Sequence, residues 1–411
     1  MQRNASLSGR LFTAPGSSVL LTGLAVAFSL FGDMTMYTVL PVHFAVLGLT
    51  PMEVGILLSA NRWIRIVTNP LAAAVTRRFP PRVLVIGSLL AGAGVTAVYG
   101  LAPPFLFFLA ARLVWGMCWS FLRQIGVMNA VGSAAVDRVG RMIGIYNGSV
   151  WVGSLVGNLA SGLLFDAIGY RPVFLLMAGL SLVGVIPAML GTKGRRLVKP
   201  MEERFRIIEG KSEDLLINLR GFLVGTVGSG IVMSTLGHVL NERLPGGLPL
   251  GGLVIGIATI NGLLLAVRYM MQVVGSPFLG VLIDRIGVFR SQFLLFAAAT
   301  AALAAAFLRI PTAALVALVV VFFLSETALQ LGLMIQAGMR GSKRYARLAT
   351  AMDLGSAVGP VAGWTAVGLL FSSRWAFLMG AACYLLGLLF TLISIMKRNT
   401  ETETAPNKRP S

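Results

Sequence analysis

The 411-residue chain is 56% hydrophobic and 12% charged, yet its formal net charge is +19. A soluble domain usually carries about 25% charged residues, and an aqueous surface this apolar would aggregate, so the bilayer is the solvent that fits. The Lys and Arg residues lie in short loops between apolar runs and not on a polar domain, which excludes a basic nucleic-acid surface. Cys118 and Cys383 sit in separate apolar runs, and His43 and His238 are far apart. Neither a disulfide framework nor a metal motif can be built from them. No GxxxxGK[ST] loop occurs, and no nucleophile–base cluster is visible, so no cofactor, metal or enzymatic activity is expected.

Taken in chain order, apolar stretches of roughly 20 residues or more read as transmembrane helices. They cover residues 17–46, 54–76, 83–102, 105–131, 143–165, 173–191, 219–241, 251–274, 291–308, 312–335, 349–371 and 375–396. The first is too long for the apolar core of a cleaved signal peptide. The runs lack the alternation of a barrel, and an open sheet cannot satisfy its backbone in lipid. The expected fold is therefore an all-α membrane protein with twelve transmembrane helices. Residues 1–191 and 219–396 form two pseudo-symmetric six-helix bundles, 192–218 a polar linker, and 397–411 a disordered tail. With both termini cytoplasmic, the outer loops hold only Arg171, Arg243, Arg309 and Arg374 of the 34 basic residues, a strong positive-inside bias.

The halves repeat weakly. Gly55, Pro70 and Arg78 find counterparts in Gly262, Pro277 and Arg285, and Arg138, Gly153 and Gly157 in Arg340, Gly355 and Gly359. Parallel halves of this kind are a known transporter plan. Three motifs sharpen the reading. Gly280-Val-Leu-Ile-Asp284-Arg285-Ile-Gly287 follows G-x-x-x-D-R-x-G, whereas its first-half equivalent, Ala73 to Pro80, has Arg77 in place of Asp and Pro80 in place of Gly. Arg112-Leu-Val-Trp-Gly116 follows R-x-x-x-G, and Gly355-Ser-Ala-Val-Gly359-Pro360 follows G-x-x-x-G-P. With these motifs the chain resembles the major facilitator superfamily over nearly its whole length. The resemblance implies alternating access, proton coupling through Arg112, and a cytoplasmic gate at the loops that hold Arg77, Arg78, Asp284 and Arg285. The G-x-x-x-G-P motif of antiporters usually lies in span 5, where this chain has Gly153-Ser-Leu-Val-Gly157-Asn158.

A charge at mid-bilayer costs about 2.5–3.5 kcal/mol on insertion scales, so each one calls for a reason. Asp33, about 24 Å of helical rise into span 1, reads as a proton carrier or substrate contact, or else as a structural partner of an arginine. Arg62 and Arg65, three apart on span 2, share one helix face. They read as a cationic cavity lining or as partners of Asp33 and of backbone carbonyls. Arg112 stays protonated, so its expected role is to set the charge state of a nearby carboxylate. Glu326 is the candidate acid of the second half, for coupling or for the cavity, the alternative being a hydrogen bond to Ser325 or Thr327. Arg123 and Arg268 are expected to snorkel. His43 and His238, ending spans 1 and 7, read as interfacial histidines or as a pH-sensing gate. Asp353 lies within about two turns of the start of span 11, where Arg77 or Arg78 is expected to reach it as a charge-swapped latch. The alternative is that Asp353 serves the cavity.

The expected function is secondary transport of a small organic molecule, with proton-coupled efflux favoured over import. The excess of Arg over acids in the spans favours an anionic substrate. The alternative of another class is a non-transporting receptor or assembly factor. The expected partners are substrate, proton and lipid bilayer, in a monomer of a bacterial inner membrane.

Overall fold

The computed structural model describes residues 15–133, 139–192, 211–250 and 252–404. The described chain is helical except for loops and one small hairpin. Span 1 is α1 (Pro15–His43), a single helix that contains Pro41. A reciprocal capping box opens α2 (Pro51–Trp63): Glu53 N donates to Thr50 Oγ1 at 3.3 Å and Thr50 N donates to Glu53 Oε2 at 2.7 Å. Span 2 runs on through Ile64, a right-handed helical residue whose N donates to Ala60 O at 3.1 Å and whose O accepts from Thr68 N at 3.0 Å, into α3 (Arg65–Val75). Pro70 lacks the N–H that the carbonyl four residues earlier would use, and its ring crowds that carbonyl. Spans 3, 4 and 5 are α4 (Pro81–Gly100), α5 (Phe105–Gly132) and α6 (Val139–Ile168). Span 6 is α7 (Tyr170–Val183) with the short α8 (Val185–Gly191).

Span 7 begins as α9 (Lys211–Val224), well inside the stretch read as linker. Glu213 and Asp214 occupy its first turn, where carboxylates favour a helix start, and arginines fix both, as described below. Span 7 then passes through a π-helical segment, Gly225–Val232, into α10 (Met233–Arg243). The hairpin β1 (Leu248–Leu250) and β2 (Leu253–Ile255) is antiparallel, with Leu248 opposite Ile255. Span 8 is α11 (Ile257–Met270), a π-helical turn Met271–Gly275, and α12 (Ser276–Ile286). Then come α13 (Val288–Phe307), α14 (Thr312–Gly338), α15 (Ser342–Leu370) and α16 (Arg374–Thr404). Residues 397–404, read as tail, continue α16, and no Pro or Gly interrupts the sequence before Pro406. Residues 193–210 of the expected linker and the tail from 405 lie outside the described residues.

Ten helical stretches among the described residues are long and apolar enough to cross a membrane. The two other expected spans are also helical. Span 2 carries Asn61, Arg62, Arg65 and Asn69 among its apolar residues, and α15 opens on Lys343, Arg344 and Arg347 and mixes Gly, Ser, Thr and Pro with its apolar residues. The protein is an all-α, multi-pass membrane protein.

The described residues pack as two compact units. One joins α1–α8 to Leu236–Val273, and the other joins residues 211–235 to the chain from Val274 onward. In the first unit, Gly153 of α6 lies against Ala27 of α1, where any side chain would collide. The opposite edge of α6 forms a seam with α11. Asn158, Gly162 and Asp166, four residues apart and therefore on one face, meet Gly262, Ala258 and the start of α11. Asp166 Oδ2 accepts from Thr259 N at 2.7 Å and from Thr259 Oγ1 at 2.6 Å. It caps a helix whose own N-cap, Gly256, has no side chain to do so. In the second unit, Gly359 of α15 packs on Gly230 of the π-helical segment and Gly387 of α16 on Phe296 of α13, close approaches of the kind small residues allow in membranes. Trp364 Nε1 donates to Ser234 O at 3.1 Å.

Candidate functional site

The first unit holds the most charge-laden interior site. Asp33 is 8% exposed and Arg112 fully buried. Arg112 Nη1 donates to Asp33 Oδ1 at 2.6 Å, and Arg112 Nε donates to the Leu57 carbonyl of α2 at 2.9 Å. Asn61 Nδ2 reaches Asp33 Oδ1 at 3.4 Å. Gly116, one turn beyond Arg112, lets α5 come against Asn61 and Ile64, where a side chain would strike the Asn61 carbonyl. Tyr37 completes the wall. Its hydroxyl donates to Leu58 O at 3.1 Å, and its ring lies under the guanidinium of Arg62 at 5.4 Å and near that of Arg112 at 5.8 Å. The Tyr99 ring of α4 is 6.0 Å from Arg112. Cation–aromatic contacts of this kind stabilise a desolvated guanidinium.

Three buried polar atoms around the pair fall short of good hydrogen-bond geometry: Asn61 Oδ1, and Arg112 Nη2 and Tyr99 OH, the Tyr99 hydroxyl facing the Arg112 guanidinium. A buried unsatisfied group costs about 1–3 kcal/mol, so the site retains hydrogen-bonding capacity it does not fully use. Proton uptake by Asp33 would remove the charge that holds Arg112.

The structure thus brings Asp33 and Arg112 together and sets Arg62, half-buried, beside them over Tyr37. Arg65 is buried at the start of α3. Glu326 belongs to the other unit. It is fully buried on α14, lies against Gly228 of the π-helical segment, and accepts a short hydrogen bond from the Gln330 amide, one turn on. Ser325, one of the two hydroxyls weighed as its alternative partner, donates to Val321 O at 2.9 Å. Arg77 and Arg78 are exposed just after α3. Asp284 and Arg285 are exposed in the last turn of α12, before Gly287 at φ +91°. That backbone favours glycine, and the equivalent Pro80 sits at φ −60°. Asp353 is half-buried on α15.

Other residues depart from expectation. Arg268 is 2% exposed, with its guanidinium 5.3 Å from the Tyr269 ring: it is held in the interior and does not snorkel. His43 stacks on Tyr170 at 5.2 Å, and His238 lies 3.3 Å from Glu242. Arg220, at the edge of an apolar run, is fully buried. It donates to Glu213 at 2.8 Å, Gln292 at 2.6 Å, Ser394 at 3.3 Å and the Leu216 carbonyl at 3.2 Å. Gln336 also reaches Glu213, at 3.2 Å, and Asp214 holds Arg340 and Arg344 at 2.7 and 2.6 Å. Asn61, Tyr37 and Tyr99 were not singled out from sequence, since a neutral polar residue in a span raises no alarm.

The chain matches the Major Facilitator Superfamily over residues 22–339. It is similar to "Multidrug resistance protein MdtG" of Citrobacter koseri, 27% identical over 288 residues that span 68% of this chain and 67% of that one. The protein of the same name from Serratia proteamaculans is 26% identical over 60% of this chain and 61% of its own. Among solved structures, the fold is similar to a bacterial homologue of the human lysosomal transporter Spinster, at TM-score 0.70 and 15% identity, covering 96% of this chain and 98% of that one. It is also similar to the nucleoside transporter NupG, at TM-score 0.71 and 12% identity, covering 92% and 99%.

Proposed function

Because the chain belongs to the major facilitator superfamily and is a transporter of that type, not an enzyme, we propose that it expels small organic molecules from the cytoplasm by proton-coupled antiport. The observation that carries this reading is the buried Asp33–Arg112 pair. With Asp33 ionised, the pair is stable and compact. When Asp33 takes a proton, Arg112 loses its counter-charge and Asn61 and Arg112 are freed to exchange partners. A proton is thereby converted into a structural preference, the thermodynamic requirement for coupling. The efflux direction is supported by the similarity to two bacterial multidrug resistance proteins. Arg62 and Arg65 bias the cavity towards substrates with an anionic group, and Glu326 is the acid of the second half for coupling or substrate contact. Arg77, Arg78, Asp284, Arg285 and Asp353 serve the cytoplasmic gate.

The protein works as a monomer of two six-helix bundles in a bacterial inner membrane, both termini cytoplasmic. The test uses inside-out vesicles from a pump-deficient bacterium expressing the chain, with ethidium and an anionic dye, fluorescein, as probes. An imposed pH gradient, acid inside, should drive probe uptake, and collapsing it with a protonophore should stop it. Uptake of every probe unaffected by the gradient would overturn proton coupling.

A further inference from the structure

Asp33 is only two to five residues from a second set of contacts on the same helix. Pro41 has no N–H, so the carbonyl of Tyr37, four residues before it, is deprived of its helical donor. Asn261 of α11 fills this position. Its Nδ2 lies 3.3 Å from Tyr37 O and 2.9 Å from Thr38 O. The Thr38 hydroxyl donates to Asn158 Oδ1 of α6 at 2.9 Å, and Thr35 Oγ1 shares a 2.7 Å hydrogen bond with Ser161 Oγ. Asn261 is fully buried, and Gly237 and Gly262 leave space for it and for its neighbours. One turn of α1 therefore carries the acid on one side and, through Asn261 and Asn158, holds both helices of the α6–α11 seam. The seam ends at the Asp166–Thr259 cap.

We propose that Asn261 is the positioning residue that transmits the charge state of the Asp33–Arg112 pair to the α6–α11 seam. Neutralising Asp33 alters how Arg112 and Tyr37 pack, and Tyr37 passes the change to α11 through the carbonyl that Pro41 leaves open. The charged and titratable groups around Asp33 are Arg112 on α5, Arg62 on α2, Tyr37 on its own helix, Tyr99 on α4, and Tyr269 with Arg268 on α11. From α6, the neutral Gly157, Asn158 and Ser161 meet this turn of α1, and Asp166 lies at the seam's end. The inference takes from the proposed function only the change of charge at Asp33.

The experiment places spin labels at Ile168 and Val254, both exposed near the end of the seam, with Cys118 and Cys383 replaced by alanine. In purified protein, Asp33→Asn mimics the protonated acid and should lengthen the distance between the labels. Adding Asn261→Ala should abolish that lengthening, and Asn261→Leu, which cannot donate, should behave alike. A purely structural role would leave the response to Asp33→Asn in place, and that result overturns the inference, as does a parent protein whose seam ignores Asp33→Asn. Should Asn261→Ala not fold, Pro41→Ala decides: it gives Tyr37 O a helical donor again and should reduce the response, whereas an unchanged response overturns the inference. A seam that responds in a protein showing no gradient-driven efflux would reject the proposed function and leave this inference standing.

Discussion

Arg112 and Arg220 are both fully buried, and each holds a carboxylate at short range, 2.6 Å from Asp33 and 2.8 Å from Glu213. Their surroundings make them different devices. Every nitrogen of Arg220 donates, to Glu213, Gln292, Ser394 or the Leu216 carbonyl. Arg112 binds Asp33 and the Leu57 carbonyl but leaves Nη2 short of good hydrogen-bond geometry, as are an Asn61 oxygen and the Tyr99 hydroxyl that faces the guanidinium. A saturated guanidinium has nothing to gain by moving and anchors the helices it joins. One with a poorly satisfied donor can trade partners at little cost, and that is what a transport cycle needs.

The largest expected effect comes from breaking the anchor. Arg220→Ala strands Glu213 and Gln292 and should destabilise the protein by about 3–5 kcal/mol, read as a large drop in detergent melting temperature. Asp33→Asn should act first on coupling: gradient-driven uptake falls at least about tenfold, a loss of about 1.4 kcal/mol. It also leaves the buried Arg112 without its counter-charge, so melting falls too, but by less than in Arg220→Ala because the amide oxygen still accepts from Arg112. A matched pair sharpens the contrast. Gln292→Leu removes satisfied partners and should cost about 1–3 kcal/mol of stability. Asn61→Leu removes a group that is half-unsatisfied already, so stability should hardly change while coupling weakens. The smallest effect is expected of Arg62→Ala, which should weaken fluorescein uptake a few-fold more than ethidium uptake. Equal losses would remove the charge argument and leave Arg62 as the cation over Tyr37.

The fold was largely legible because lipid leaves a hydropathic trace: a continuous apolar run has few alternatives to a helix. Asp33 and Arg112 were legible for the same reason inverted, as charges placed where charge is expensive. An arginine partner for Asp33 and a carboxylate beside Arg112 were both expected; the 2.6 Å contact and the Leu57 carbonyl that shares Arg112 were not legible, since they depend on the rotation of three helices about their axes, which no spacing rule fixes. Arg220 was hidden by its place at the edge of an apolar run, where a flanking interfacial cation and a buried anchor look alike. The π-helical segments left no signal, because the shift to i→i+5 bonding depends on how Gly225–Val232 packs against α15 and Glu326. The role of Asn261 is intelligible only once Pro41 is known to lie within a helix beside it.

The Arg112-x-x-x-Gly116 spacing fastens span 2 at two points one helical turn apart. Arg112 grips α2 by the Leu57 carbonyl, and Gly116 presses against Asn61 and Ile64. Further along the same two helices, Thr68 Oγ1 and Ser120 Oγ share a 2.7 Å hydrogen bond. Spans 2 and 4 are therefore riveted side by side, and a pull on the loop that carries the exposed Arg77 and Arg78 is borne by both helices together.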